Sequence, residues 1–421
     1  MAQTLPSDAV VVKTLKLSKL DGSKTPVDIS AIVVEFSVYE DITFPVVRAD
    51  FTFMDGVNLI TTFPISGHEK IELEFYNPGF EDIIYQHTFQ VKNVGSVGTS
   101  SQGKIKSYMV ETVSPEFITN AHQYINEKHK GSVNDIISTI CKRHLKTKKP
   151  LFLNTDPVKG VQDVLVSRMR PFQAIDSHRK RAVSAKYNSS SYVFFENNKG
   201  FNFCTIEYLL NTKKDIINDK IFFYDTVNNA SLTSMNSRNI LNLKQTSLVD
   251  NTTKMTSGSL NMNVKRFDLL TGQVSTTKYV NSEQQSKIKF SSKSAKPIDP
   301  PSFEKAYGNT AAVSLLVPFS SEFQENYINT SLGPKHSFIS KMEQNVFYAH
   351  VYGDVALSAG DVITINVPSP SGFTETQPAN KYLEGNYLVS KLRHVVVNLS
   401  PMEKSYTIAM ELIKGSYEDD I

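Results

Sequence analysis

The feature that most constrains the fold is a pattern of strands and turns that occurs at both ends of the chain. Near the C-terminus it reads HVYGDVALSAGDVITINV, followed by GNYLVSKLRHVVVN and EKSYTIAMELIKG. Near the N-terminus it reads ADFTFMDGVNLITTFPISGHEKIELEF, followed by HTFQVKNVGSVG and GKIKSYMVETVSP. Both copies place a strand, an Asp/Gly turn, an apolar connection, a Gly before an acidic residue, and three strands in that order. We interpret this as a degenerate internal repeat; the alternative is a chance likeness between two unrelated antiparallel sheets.

β-Branched and aromatic residues in short runs predict the strands of each copy. The C-terminal stretch 337–417 predicts a short helix followed by strands at 346–352, 361–367, 387–397 and 404–413. The N-terminal part predicts strands at 10–17, 31–39, 50–54, 71–76, 86–94 and 105–112. An antiparallel meander of this size can close into a small barrel, which removes the unpaired edges of an open sheet.

Helical signals dominate the segment after the first strands. Ser114 and Pro115 supply an N-cap and an N1 proline for a helix that carries Tyr124 and Ile125 on its apolar face. A second helix is predicted to begin at Ser132 and a third near Pro171. A hairpin follows, with strands at 192–195 and 201–206. Polar strands are expected within 255–280, and the Lys-, Ser- and Pro-rich run 286–301 indicates an extended loop or, alternatively, disorder.

These patterns together predict a β-rich α+β fold with several domains. Two similar antiparallel barrels are expected at 1–113 and 336–417, a mixed α+β domain at 114–224, connecting strands with a loop-rich insert at 225–335, and a short acidic tail at 418–421.

Composition excludes several classes of function. The chain has 45 Lys and Arg against 42 Asp and Glu, so it lacks a global polyanion-binding charge. Its two cysteines stand outside any CxxC spacing, which argues against a disulfide framework and a structural zinc site. The absence of a long apolar run or a basic leader predicts a soluble, non-secreted protein. We expect no metal and no cofactor.

Candidate catalytic residues are few. Cys141 and His144 could form a thiol and imidazole pair, but the apolar positions around Cys141 favour a core cysteine beside a surface histidine. Asp354 and Asp361 form a carboxylate pair that Asp55 and Glu69 match in the first copy. Turn geometry accounts for such residues, because Asp beside Gly stabilises tight turns with its own side chain.

One cluster of basic residues stands out: Arg168, Arg170, Arg179, Lys180 and Arg181. It could bind nucleic acid or an acidic partner. A solvated helical face is the favoured interpretation, since no aromatic or Gly-rich nucleic-acid motif accompanies it.

The order of these pieces resembles a known family. The runs VFYAHVYGDVALSAGDVITINVP, LEGNYLVSKLRHV and SYTIAMELIK are similar to the last barrel of the central baseplate hub proteins of T-even-like contractile-tailed phages. Phage late-control proteins and the N-terminal part of type VI secretion spike proteins share this architecture. FTFMDGVNLITTFPISGHEKIELEFYNPG looks like the first barrel of the same family. The stretch 255–335 carries no such likeness.

The resemblance implies a non-enzymatic structural role in a virion tail baseplate, assembled in the host cytoplasm. It implies a homotrimer whose six similar barrels form a ring between a trimeric central spike and the hexameric tail tube, with DNA passing through the lumen. The basic cluster is then expected to face outward, towards other baseplate proteins. The residues expected at the trimer and tube contacts are Phe51, Phe53, Ile71, Leu73, Val351, Ile363, Ile365, Tyr387 and Val389.

Two other functions stay open on the sequence. A β-rich adhesin or carbohydrate-binding module is compatible with the 18 tyrosines, although the chain has no Trp to stack on sugars. A hydrolase attached to a tail would depend on Cys141 and His144.

Overall fold

A computed structural model of the chain confirms a β-rich α+β fold. It describes residues 8–78, 80–99, 105–212, 220–224, 238–246, 261–268, 271–280, 296–297, 313–319, 346–366, 383–400, 403–414 and 416–417, with Lys335 and Ile339. The predicted helix ahead of residue 346, nearly all of the 286–301 segment and the acidic tail lie outside the described residues.

Strands make up most of the described chain. They are β1 Val11–Lys19, β2 Val27–Asp28, β3 Val33–Asp41, β4 Arg48–Asp55, β5 Glu69–Tyr76, β6 Ile84–Thr99, β7 Lys106–Val113, β8 Ile125–Gly131, β9 Leu151–Phe152, β10 Gln162–Met169, β11 Tyr192–Asn197, β12 Gly200–Thr205, β13 Ile221–Phe223, β14 Ile240–Gln245, β15 Asn261–Asp268, β16 Val274–Val280, β17 Lys296–Pro297, β18 Val313–Phe319, β19 Val346–Tyr352, β20 Val362–Asn366, β21 Gly385–Ser400, β22 Glu403–Ile413 and β23 Ser416–Tyr417.

In the described residues, five short helices interrupt the strands. They are α1 Leu59–Thr62, α2 Pro115–His122, α3 Val133–Thr139, α4 Pro171–Arg179 and α5 Ile206–Thr212, and α3 continues into a π-helical turn, Ile140–His144. The three predicted helix starts are confirmed. The first helix is shorter than expected: it ends at His122, and Ile125 begins β8 instead of extending the helical face.

The strand order of the largest sheet confirms the internal repeat. We call strands β3, β4, β7, β6, β5 and β1 the N-unit, and strands β14, β19, β22, β21, β20 and β13 the C-unit. Each set is hydrogen-bonded in the order given. The two units differ at their last strand, since β1 runs antiparallel to β5 whereas β13 runs parallel to β20.

Registers and the first bulge of two strand pairs match between the units as well, although β6 shifts a second time between Gly95 and Gly98, where β21 is regular. Asp50 lies opposite Glu111 in the N-unit, and Tyr348 lies opposite Glu411 in the C-unit. The pairing of β6 with β7 shifts between Val91 and Asn93, and that of β21 with β22 shifts between Val389 and Lys391. The pairing of β3 with β4 shifts between Val33 and Glu35, as that of β14 with β19 does between Ile240 and Asn242. Bulges are local irregularities with a specific geometry, so their recurrence is strong evidence for duplication.

A buried ion pair recurs at the same place in each unit. Lys19 pairs with Glu69 in the N-unit, and Lys220 lies 2.6 Å from Asp361 in the C-unit. Each carboxylate also accepts from the backbone N–H of the serine three residues before it. Ionised side chains taken out of water need this kind of partner and additional hydrogen bonds. These carboxylates therefore hold the strand ends together, as turn geometry predicted.

The two units share one sheet and one hydrophobic core. Strand β21 of the C-unit pairs with β3 of the N-unit, and the sheet curls so that rings from both units meet. Phe75 lies 5.5 Å from Tyr406, and Tyr85 lies 5.0 Å from His394, between ring centroids. The two predicted barrels are thus parts of one continuous sheet.

The α+β segment packs beside this sheet around a core of its own. Its predicted hairpin is confirmed as β11 and β12. The polar strands expected within 255–280 are confirmed as the antiparallel pair β15 and β16. The proposed domain boundaries stay a prediction. Among the described helices, none has the length and apolar character needed to cross a bilayer.

The turn after β19 offers a test of core packing. A methyl group at Gly353 would lie 1.9 Å from the ring of the buried Tyr406, whereas one at Gly56, in the equivalent turn of the N-unit, would meet nothing within 4 Å. We expect Gly353→Ala to lower the free energy of unfolding by about 1–3 kcal/mol, because the ring must shift within a close-packed core. Denaturant unfolding measures this, with Gly56→Ala as the matched control. Equal effects of the two substitutions would contradict the packing described.

Candidate assembly interface

The nine side chains expected at the trimer and tube contacts are all inside the chain. Each has an exposed fraction of 0% and belongs to the shared core: Phe51, Phe53, Ile71, Leu73, Val351, Ile363, Ile365, Tyr387 and Val389. The prediction that these side chains contact other chains needs correction, because the apolar face of each strand packs in the chain's own core. Contacts with other chains must use the opposite face or the backbone edges of these strands.

The junction between the units shows how such an edge contact is made. β21 and β3 pair antiparallel, with Lys391 opposite Asp41 and Val397 opposite Glu35. On the polar face, the Arg393 guanidinium donates to the Ser37 hydroxyl at 2.9 and 3.1 Å and lies over the ring of Tyr39. Backbone pairing and a charge-assisted hydrogen bond therefore join the two units.

Glu40, on the core side of β3, links three parts of the chain. Its carboxylate accepts from the Tyr85 hydroxyl at 3.2 Å, from the Asn198 N–H at 2.9 Å and from the Ala359 N–H at 2.8 Å. These donors belong to the N-unit, the β11–β12 hairpin and the C-unit. Burial raises the pKa of Glu40 to about 7, despite the hydrogen bonds that favour its ionised form.

Glu196 is a second buried carboxylate between parts of the fold. It lies on β11 and accepts from the Val47 N–H at 3.0 Å and the Ser114 hydroxyl at 2.6 Å. The Lys149 ammonium pairs with both Glu196 and Glu116. Through these bonds the α+β segment is fixed to the N-unit.

The face of the sheet opposite the core is polar, and it is concave across the junction. We call it the polar face; it runs over β14, β19, β22, β21, β3, β4 and β7. A depression of about 410 Å³ spans six of these strands, with Tyr39, Arg48, Lys244, His350 and Lys391 among its lining residues. A smaller depression of about 280 Å³ continues it along β4, β7 and β6.

Charges on the polar face are balanced and largely paired. Lys391 lies 2.9 Å from Glu411, Arg393 lies 3.5 Å from Glu35, and Lys92, at its β6 margin, lies 3.6 Å from Glu111. Apart from the core-side Glu40, the charged residues that line the two depressions, together with Glu35, are five bases and five acids: Arg48, Lys92, Lys244, Lys391, Arg393, Glu35, Asp41, Asp50, Glu111 and Glu411. This set has no net formal charge with His350 neutral.

The basic cluster lies elsewhere, on the α+β segment. Arg168 is at the end of β10, Arg170 directly precedes α4, and Arg179, Lys180 and Arg181 are at the C-terminal end of α4. Arg179 and Lys180 both pair with Asp176, and half-burial lowers the pKa of Arg181. None of the five belongs to the large sheet. Their role as an outward partner surface stays a prediction.

Cys141 and His144 do not form a catalytic pair. The Cys141 thiol is fully buried, which raises its pKa to about 12, so it holds its proton at neutral pH. His144 instead contacts Glu127, with Nε2 2.8 Å from the carboxylate. The reading of a core cysteine is confirmed. Among the described residues, no group of three His, Cys, Asp or Glu side chains could hold a metal ion.

Comparison with known proteins places the fold. No protein-family model matches the sequence, and a search of curated proteins found no match. Solved structures do match along the whole chain. A 43 kDa tail protein of prophage MuSo2 from Shewanella oneidensis superposes with a TM-score of 0.58 at 7% identity, over 97% of this chain and 99% of the other. The chain has the fold of a phage tail protein.

A second tail protein, from Neisseria meningitidis MC58, agrees with this. It superposes with a TM-score of 0.55 at 11% identity and covers 96% of both chains. A type VI secretion component from E. coli, described as similar to phage T4 tail proteins, gives a TM-score of 0.45 at 9% identity, over 98% of this chain and 79% of the other. The expected resemblance to tail proteins is confirmed at the level of the fold.

The sheet junction and its carboxylate were not found from the sequence. Glu40 stands in an apolar run, VVEFSVYED, where an acidic residue on the core side of a strand is unusual. That position is the signal that could have marked Glu40 as a functional or structural residue. Its three hydrogen-bond donors come from distant parts of the chain, so the sequence could not predict which groups it bonds.

The raised pKa of Glu40 predicts a pH-dependent contribution to stability. The unfolded carboxyl has a pKa of about 4.5 and the folded one about 7, so the folded state binds more protons between these values. The contribution of Glu40 is fully present below pH 4.5 and is lost as pH rises through 7, by about 3 kcal/mol.

We therefore expect the difference in unfolding free energy between wild type and Glu40→Gln to shrink from pH 5 to pH 8. Denaturant unfolding at several pH values measures it. The difference cancels titrations common to both proteins, such as that of His394, whose pKa burial lowers to about 3. Parallel pH profiles would show that Glu40 titrates normally.

Proposed function

We propose that the protein is a structural subunit of a contractile phage tail, a baseplate hub that forms a trimeric ring between the tail tube and the central spike. The observation that carries this proposal is the duplicated unit joined by β21 and β3. Three copies of a chain with two equivalent units present six similar units around one axis. Such a ring can contact a sixfold tube on one face and a threefold spike on the other.

The concave polar face is suited to the inner wall of this ring. A sheet whose non-core face is concave across the unit junction encloses a lumen on that side when the junction is repeated. The charge balance of that face suits passage of DNA, because a strongly basic wall would retain the phosphates. The paired bases on it leave no run of free positive charge for a duplex to bind.

The α+β segment then lies away from the lumen and carries the basic cluster. Arg168, Arg170 and the exposed Lys180 are available there to acidic surfaces of neighbouring baseplate proteins. The spike, the tube proteins and these neighbours are the partners that the proposal requires. Assembly would take place in the host cytoplasm.

The first test is the mass of the purified protein. We expect a trimer by light scattering over a range of concentrations, alone or after addition of a trimeric spike protein from the same phage. A marginal trimer can depend on the partner for part of its stability, since a ligand that binds only the assembled form shifts the equilibrium towards it. A monomer under both conditions would rule out the ring.

The second test concerns the charged residues of the polar face, which is the proposed wall of the lumen. Replacing Glu35, Glu111 and Glu411 with Gln leaves Arg393, Lys92 and Lys391 without their acidic partners. We expect the assembled variant to retain double-stranded DNA at low salt and phage carrying it to eject DNA more slowly, with retention lost as salt is raised.

The matched control also removes three acids, with Glu72→Gln, Glu74→Gln and Asp163→Asn, because these acids pair with Lys70, Lys13 and Lys128 outside the polar face. Retention by the control to the same extent would show that overall charge matters and that the polar face is not the wall.

A further inference from the structure

We infer that copies of this chain join by strand pairing, with the outer edge of β14 in one copy against residues 91–99 of β6 in the next. This rests on the proposed ring and names the surface that builds it. The pairing would repeat, between chains, the antiparallel junction that β21 and β3 make within one chain.

Each edge has a stretch without a strand neighbour in the part of the chain that the structure describes. At the start of β14, Asn239 bridges Phe223 of β13, and from Asn242 to Gln245 β14 pairs with β19 alone. β6 pairs with β5 up to Gln90, and from there to Thr99 it pairs with β7 alone. A free strand edge presents a row of unpaired N–H and C=O groups, which is a template for another strand.

The repeat makes these two edges equivalent to the two that already pair. β14 holds the position of β3, as the first strand of its unit with the same bulge. Up to Gly95, β6 holds the position of β21, with the bulge between Val91 and Asn93 matching that between Val389 and Lys391; beyond Gly95 the pairing of β6 shifts again by Gly98, whereas that of β21 stays regular to Asn398. In the C-unit, β21 uses the segment just after its bulge to bind β3. In the described part of the chain, the corresponding segment of β6 has no strand on its outer edge. The same is true of β14 from Asn242 onward, which corresponds to β3.

Equivalence also sets the register. Arg393 lies opposite Ala409 and Gly95 lies opposite Met109, which are matching positions of β22 and β7. In the same way, Thr246 matches Tyr39. Tyr39 lies opposite Arg48, and the Thr246 N–H donates at 3.1 Å to the carbonyl of Val346, which is the first residue of β19 as Arg48 is of β4. Because Arg393 pairs with Tyr39 across the junction, Gly95 should lie opposite Thr246 of a second copy.

This pair is suited to a disulfide. Thr246 directs its backbone N–H towards β19, so across its outer edge it would form a non-hydrogen-bonded pair, in which the two Cα atoms are about 4.5 Å apart. A Cα separation in this range is compatible with a disulfide. A Cβ at Gly95 would make only an ordinary contact, 3.7 Å from the Asn93 side chain. The native thiols, Cys141 and Cys204, are buried and should not interfere.

The contact is head-to-tail, so each copy offers one edge of each kind. The two edges are seven strand positions apart in the sheet, and they are not paired with each other within the described part of one chain. A bond between residues 95 and 246 must therefore link different copies. Heterologous contacts of this kind close into rings when the rotation permits.

The experiment is oxidation of the double variant Gly95→Cys, Thr246→Cys in the full chain, followed by denaturing electrophoresis without reductant. We expect covalent dimers and trimers, with the series ending at three. Each single variant is a control that should stay monomeric on the gel. The pair Tyr39→Cys, Arg393→Cys is the positive control, since it should close within one chain at the equivalent position.

The outcomes separate this inference from the proposed function. A trimer by light scattering without a 95–246 bond, while the positive control closes, would overturn the edge pairing and leave the ring intact. Covalent products longer than three would support the pairing and contradict the closed trimer. A protein that is monomeric with and without the spike, and forms no bond, would overturn both.

Discussion

The pairing of β21 with β3 is the interaction on which the rest of the structure depends. It converts two similar units into one sheet, and it places Phe75 and Tyr85 of the N-unit against His394 and Tyr406 of the C-unit in one core. Without it each unit would expose a strand edge and part of an apolar face. Burial of that face stabilises the chain by about 25 cal/mol per Å² removed from water. The same pairing fixes which edges are left over.

Buried carboxylates give this arrangement its precision. An apolar core tolerates small shifts in packing, whereas a buried carboxylate is destabilising unless its specific donors are in place. Glu40 accepts bonds from three parts of the chain, and Glu196 joins the α+β segment to the N-unit. The paired lysines beside Glu69 and Asp361 do the same inside each unit. These residues act as positional constraints on the strands and loops that they join.

Much of the fold could be predicted from the sequence because its signals are local. Period-two alternation located the strands of the N-unit and β19 to β22 of the C-unit but not β8, β10, β13 or β14. An Asp/Gly turn followed by a Gly shortly before an acidic residue revealed the duplication. The helix starts at Pro115 and Pro171 followed from the N1 preference of proline, and that at Val133 from Ser132, whose side chain accepts from the Asp135 N–H. The interface residues could not be found this way. Alternation identifies the apolar side of a strand, and that side faces the core. An edge contact uses backbone N–H and C=O groups that nearly every residue has, so the amino-acid sequence does not indicate where it forms.

Duplication gives the two ends of the sheet equivalent backbone geometry, which is what the proposed pairing between copies requires. A unit that pairs its first strand with the fourth strand of its neighbour can be joined to a copy of itself in one chain or across chains by the same geometry. In the junction within one chain Arg393 bonds Ser37, whereas the matching position of the N-unit is Gly95. The proposed junction between copies would therefore lack that guanidinium and its bonds to a serine. It should therefore be the weaker of the two, so that a ring built from fused pairs would assemble from intact chains and close when its partners are present.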